Sequence, residues 1–154
     1  MSTVLSRVEG LDPCPIPMAW VEQDAQALMA TAKLQDCELS LVLCSDEFIA
    51  PLNGQWRDKP VSTDVLSFPQ DDPVVLGDLV ISADTADRQA QERGHDLRDE
   101  LRILMVHGLL HLLGYDHETS QEDLLEMVEA EGRLMVKLGW RGKGLIERVT
   151  DGGT

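Results

Sequence analysis

The chain has 154 residues, of which 43% are hydrophobic and 27% charged, with a formal net charge of −15. That length suits one domain able to bury about two thirds of its unfolded surface, and no apolar run reaches the ~18 residues that a membrane span needs. So large a negative charge opposes nonspecific nucleic-acid binding, which rests on neutralising phosphates. The expectation is a single cytoplasmic domain over residues 1–154. Arg7, Glu9 and Asp12 interrupt any signal-peptide core. Cys14, Cys37 and Cys44 are odd in number, form no CxxC pair and read as free thiols.

Residues 1–16 read as irregular, with Pro13 and Pro15 close together. Pro17 suits the first position of a helix, where its missing N–H costs nothing, and Val21, Ala25, Leu28 and Ala32 give that helix an apolar stripe to about Lys33. Cys37 to Leu43 alternates as a strand. Ser45 is placed to cap a short helix towards Asn53, which Pro51 would distort. Gly54 to Pro60 reads as a loop carrying Arg57 and Lys59, Val65 to Phe68 as a short strand closed by Pro69, and Val74 to Ser82 as a second strong strand. Ser82 caps a helix to Arg93 that Gly94 ends, and Asp96 caps the next, Leu97 to Leu113. Thr119 with Glu122 makes a capping box for the last long helix, whose Leu124, Met127, Val128, Leu134, Met135 and Leu138 form a core stripe. Gly142, Gly144, Gly152 and Gly153 predict a loose tail after Trp140. The order predicts an α+β fold: a small mixed β-sheet packed against several helices, with one central helix that carries the chemistry.

That helix holds His107 and His111, and His117 follows after Gly114. Residues four apart on an α-helix are separated by about 40° and 6 Å, so both imidazoles share one face. Glycine at 114 ends the helix at little conformational cost and lets His117 return from another direction. Two helix nitrogens and one from the returning loop make three corners of a tetrahedron. This is the open site of a catalytic zinc, one ion per chain. The competing reading is a set of hydrogen-bonded core histidines, since Ile103, Leu104, Met105, Val106, Leu109, Leu110, Leu112 and Leu113 surround them. Burying unpartnered imidazoles would cost about 1–3 kcal/mol each, and a metal removes that cost.

The spacing His-x3-His-x2-Gly-x2-His is a metzincin-like metal frame. Zincin proteases carry a glutamate base directly after the first histidine; here that position is Gly108. The frame keeps the metal and lacks the proteolytic base. Other residues have two readings each. Asp116 either orients an imidazole or caps the turn; Met127 either lies beneath the metal or belongs to an apolar helix face; Tyr115 either replaces the missing base or packs in the core. His95 lies outside the three-ligand frame.

The run from Gly94 to His117 resembles the YbeY family of bacterial zinc-dependent endoribonucleases that act in ribosomal RNA maturation. So do Leu52-Asn53-Gly54-Gln55-Trp56-Arg57, Ser62-Thr63-Asp64-Val65-Leu66-Ser67-Phe68-Pro69 and Gly77-Asp78-Leu79-Val80-Ile81-Ser82. The resemblance implies a single-strand-specific zinc endoribonuclease acting on the 3′ end of 16S ribosomal RNA and in ribosome quality control. Its implied partners are single-stranded RNA and the small ribosomal subunit, with no membrane. It turns Arg57 from an ordinary surface arginine into the candidate catalytic residue, whose planar fork matches a phosphate. It also suggests that Gly108 leaves room for the phosphate, and that Thr63, Asp64 and Ser67 either line the substrate groove or fix the turn into a strand. Two rival readings remain open: a metallopeptidase-like hydrolase, from the frame, and a non-catalytic ribosome-assembly factor with structural zinc.

Overall fold

The computed structural model describes residues 2–146. Its elements are β1 (Thr3–Glu9), α1 (Met18–Thr31), β2 (Glu38–Cys44), α2 (Asp46–Arg57), β3 (Val65–Pro69), β4 (Val75–Ser82), α3 (Ala83–Arg93), α4 (Leu97–Leu112) and α5 (Gln121–Leu138). The strands form one mixed sheet in the order β1-β2-β4-β3, in which only β3 runs antiparallel to its neighbour. This is the expected α+β architecture.

Strand alternation divides the core. Leu39, Leu41 and Leu43 of β2 and Leu79 and Ile81 of β4 join α1, α4 and α5 in the larger apolar cluster. Val42, Cys44 and Val80 point the other way, against Ile49, Phe48 and Leu52 of α2. Helix α4 is buried along most of its length and touches α1, α3, α5, β3 and β4. From Ile103 onward apolar residues lie on every side of it, and such a stretch has no face to give to water.

Four local expectations need correction. Residues 3–9 are not irregular: they form β1, paired in parallel with β2 from Thr3↔Glu38 to Glu9↔Cys44. β1 is an edge strand, and an edge strand buries too little to leave a strong apolar pattern. Arg57 is not in a loop, because α2 runs through it. Gly54 lies inside that helix, and its lack of a side chain lets Pro60 cross it; a Cβ there would lie 2.9 Å from Pro60 Cβ. The cap of α5 is Ser120, whose hydroxyl accepts from the Asp123 N–H at 3.0 Å, while Thr119 bonds the Asp123 carboxylate. Finally, the described part of the tail is not loose. Ile146 is buried, and its N–H donates to Glu131 Oε1 at 3.0 Å. Gly152 and Gly153 lie outside the described residues.

Candidate metal centre

Helix α4 delivers His107 and His111 one turn apart, with ring centroids at 4.7 Å. At its end the N–H of Gly114 bonds the His111 carbonyl and that of Tyr115 bonds the Leu110 carbonyl. Gly114 adopts φ +102, a conformation that a side chain would resist. The chain folds back there, and Asp116 fixes the next turn by accepting from the Glu118 N–H at 2.9 Å. His117 thereby returns to within 5.4 Å of the His107 ring and 5.3 Å of the His111 ring. One nitrogen from each of the three histidines lies within 4.8 Å of the others, a group that can hold a metal ion.

The donors fit such an ion. Burial, with His107 and His117 beside it, pushes the His111 imidazole down to about 4, so it stays neutral and keeps its lone pair at neutral pH. His117 Nδ1 is buried with no hydrogen-bond partner among the described residues. His107 Nδ1 lies 2.8 Å from Glu131 Oε2, and the Glu131 side chain is fully buried. A carboxylate only accepts, so Nδ1 carries the hydrogen and the Nε2 lone pair is left for a metal.

Glu131 escaped the sequence reading, although a signal existed. It falls on the core-facing stripe of α5, four residues after Met127 and three before Leu134, where an acid needs a buried partner. The partner lies 24 positions earlier in the chain, so no local pattern named it. Met127 packs in the larger core. His95 lies apart from the triad, with Nε2 2.7 Å from the buried Glu100.

The triad opens into a groove of about 880 Å³, whose other walls carry Arg57, Lys59, Thr63, Asp64, Ser67 and Tyr115. Arg57 is placed there by the turn that follows α2. The Asn53 carbonyl takes the N–H of Asp58, whose φ is +58, and Asn53 Nδ2 donates to the Val61 carbonyl at 3.0 Å. The Arg57 guanidinium meets Glu118 Oε1 at 3.0 Å and holds that carboxyl below its ordinary range. Asp64 and Ser67 both line the groove and fix structure. Asp64 Oδ1 accepts from the Val65 N–H at 2.7 Å, and the Ser67 hydroxyl donates to the Gly108 carbonyl at 3.1 Å.

Gly108 does not leave space for a phosphate. It faces the sheet, where an added Cβ would lie 2.7 Å from Leu79 Cδ2, 3.3 Å from Ser67 Oγ and 3.3 Å from Val65 Cγ2. Close helix-on-sheet packing requires glycine there.

The sequence profile described as Endoribonuclease YbeY matches residues 17–139. A chloroplastic endoribonuclease YBEY of Arabidopsis thaliana is 56% identical over 120 residues, covering 74% of this chain but only 20% of that longer protein. An endoribonuclease YbeY of Sulfurihydrogenibium is 41% identical over 128 residues, covering 80% of this chain and 84% of the relative. That of Aquifex aeolicus is 43% identical over 122 residues, 77% and 81% of the two chains. The solution structure of TM1509 from Thermotoga maritima aligns with a TM-score of 0.63 and 28% identity over 87% of this chain and 89% of that one. The matched span contains Arg57, the three histidines and Glu131, and the chain belongs to the YbeY endoribonuclease family.

Proposed function

We propose that this chain is a single-domain, single-strand-specific endoribonuclease that holds one zinc ion on His107, His111 and His117 and grips the scissile phosphate with Arg57. The observation that carries this reading is the shared groove, with three clustered imidazoles on one wall and a guanidinium on another. Zinc is favoured over harder cations because the donors are all imidazole nitrogens. Bound there, the ion would supply Lewis acidity and make a coordinated water a nucleophile near neutral pH.

The chain's own residues do the rest. Glu131 keeps the His107 ring turned towards the metal. Glu118 occupies the Arg57 fork in the free protein, and a substrate phosphate takes its place, offering two oxygens to the same donors. As charge grows on those oxygens, Arg57 neutralises it. A glutamate at position 108 would collide with Leu79, so this helix has no room for the base that a zincin peptidase uses. Processing of the 16S ribosomal RNA 3′ end on the small subunit, and a part in ribosome quality control, are the roles we infer for it, supported by membership of the family. The cytoplasm is the compartment we infer, supported by three free cysteines. No helix among the described residues is long and apolar enough to cross a membrane.

The test is a metal analysis of the purified chain, with cleavage of a single-stranded RNA, its duplex and a peptide, each with and without a chelator. Zinc near one per chain and chelator-sensitive cleavage of the single strand are expected. Peptide hydrolysis without RNA cleavage, or zinc without either activity, would overturn the proposal.

A further inference from the structure

Three tryptophans are present, and two have their ring faces taken. The Arg98 guanidinium lies 5.3 Å from the Trp20 ring centre and that of Arg102 lies 5.1 Å from the Trp140 ring centre. Trp56 differs. It is 62% exposed, and its one ring neighbour among the described residues is Phe68, which meets it near edge-on at 5.8 Å and 67°. An edge contact props the indole and leaves ring face open. Isolated exposed apolar residues are common and need no explanation, so position decides the matter. Trp56 immediately precedes Arg57, and both line the groove that holds the histidine triad, with Phe68 and Lys59 beside them.

We propose that Trp56, buttressed by Phe68, is a stacking platform for one unpaired nucleobase of the RNA whose phosphate Arg57 holds. Resting on the nuclease reading above, this names the group that gives single-strand selectivity. In a duplex both faces of each base are already stacked, whereas an unpaired base can splay onto an aromatic ring. Charge makes such a contact necessary. A chain carrying −15 gains little from long-range attraction to phosphate, so short-range contacts beside the metal must hold the substrate. A protein partner could also use an exposed tryptophan. Its place in the wall of the groove, beside the histidine triad and two cationic side chains, favours a nucleotide.

The experiment compares wild type, Trp56→Leu and Trp56→Phe, all checked for equal zinc content and thermal unfolding. The probes are a short single-stranded RNA, the same RNA with one abasic nucleotide moved along it, and its duplex. Binding is measured on the metal-free chain and cleavage on the zinc-loaded chain. Trp56→Leu should weaken single-strand binding and raise KM about tenfold, with kcat within about twofold. Trp56→Phe should recover most of the loss. One abasic position should cost wild type about the same tenfold and cost Trp56→Leu almost nothing, the signature of a direct pair. Trp56→Leu that binds and cuts like a wild type active on single strands would overturn the platform while leaving the nuclease reading intact. So would an abasic penalty equal in both proteins. A zinc-loaded wild type that cut no RNA would overturn both.

Discussion

Glu131 reaches from α5 to α4 and joins two segments at one carboxylate, with Oε2 2.8 Å from His107 Nδ1 and Oε1 3.0 Å from the Ile146 N–H. Nothing of its side chain reaches solvent. Directly above it passes Gly144, where a Cβ would lie 2.5 Å from Glu131 Cβ. The carboxylate therefore does two jobs: it sets the direction of an imidazole and it anchors the chain that covers it. A glutamine keeps the shape but presents one acceptor where the carboxylate presents two. Glu131→Gln should lower zinc affinity about 10–100-fold in competition with a chromophoric chelator, while the fold persists. Unchanged affinity would make Glu131 a tether for the tail alone.

The metal assignment predicts a contrast within the four histidines. His111→Ala should abolish tight zinc binding, and His95→Ala should leave one zinc per chain, because His95 is committed to Glu100. Elemental analysis after dialysis against a weak chelator reads both. Equal zinc in wild type and His111→Ala would sink the triad.

Arg57 is tested by asking for more than charge. Lysine keeps the positive charge and loses the fork. Arg57→Lys and Arg57→Ala should both retain zinc and fold, and both should cut single-stranded RNA about a hundredfold more slowly, equivalent to on the order of 3 kcal/mol of transition-state contact. Single-turnover cleavage at saturating enzyme is the measurement. Near-normal cutting by the lysine variant would reduce Arg57 to a general electrostatic contact.

Gly108 yields a stability prediction. Leu79 is fully buried, so it has little freedom to move aside from a new Cβ. Gly108→Ala should destabilise the fold by about 1–3 kcal/mol through overpacking, and Gly108→Glu by more. Urea unfolding of the zinc-free proteins separates this loss from any effect on catalysis. Wild-type stability in Gly108→Ala would show that the helix can lift off the sheet at no cost.

Asp24 gives a pH dependence. Burial alone would raise its pKa, but the Arg98 and Arg102 guanidiniums, each bonded to both carboxylate oxygens, outweigh that and bring it below the ordinary 3.8. A carboxyl depressed in the folded state stabilises at pH above its unfolded value, and that contribution is lost as pH falls through the folded value. Asp24→Asn should therefore cost about 1–3 kcal/mol near neutral pH, and the gap from wild type should close in strong acid. A gap independent of pH would mean that packing, not charge, is what Asp24 provides.

The sequence by itself determined the histidine cluster that can hold a metal, because its geometry is local. Spacing on one helix and a glycine turn suffice to bring His107, His111 and His117 together, and no distant contact has to be known. The same holds for β2, β4 and α3–α5, whose apolar periods are written in neighbouring residues, as is the Ser82 cap of α3; Asp96 sits at the N-cap position of α4 but its side chain makes no cap bond, and α5 is capped by Ser120. What tertiary structure alone decided involves partners far apart in the chain. β1 exists because β2 offers it a parallel edge, and Gly54 of α2 is glycine where Pro60 crosses it. Gly108 is glycine because β3 and β4 lie against it. Glu131, 24 residues beyond His107, becomes part of the centre only when α5 packs on α4. A period along one element can be read from order alone, whereas a contact between elements depends on loop closure and packing, which no single window of residues contains.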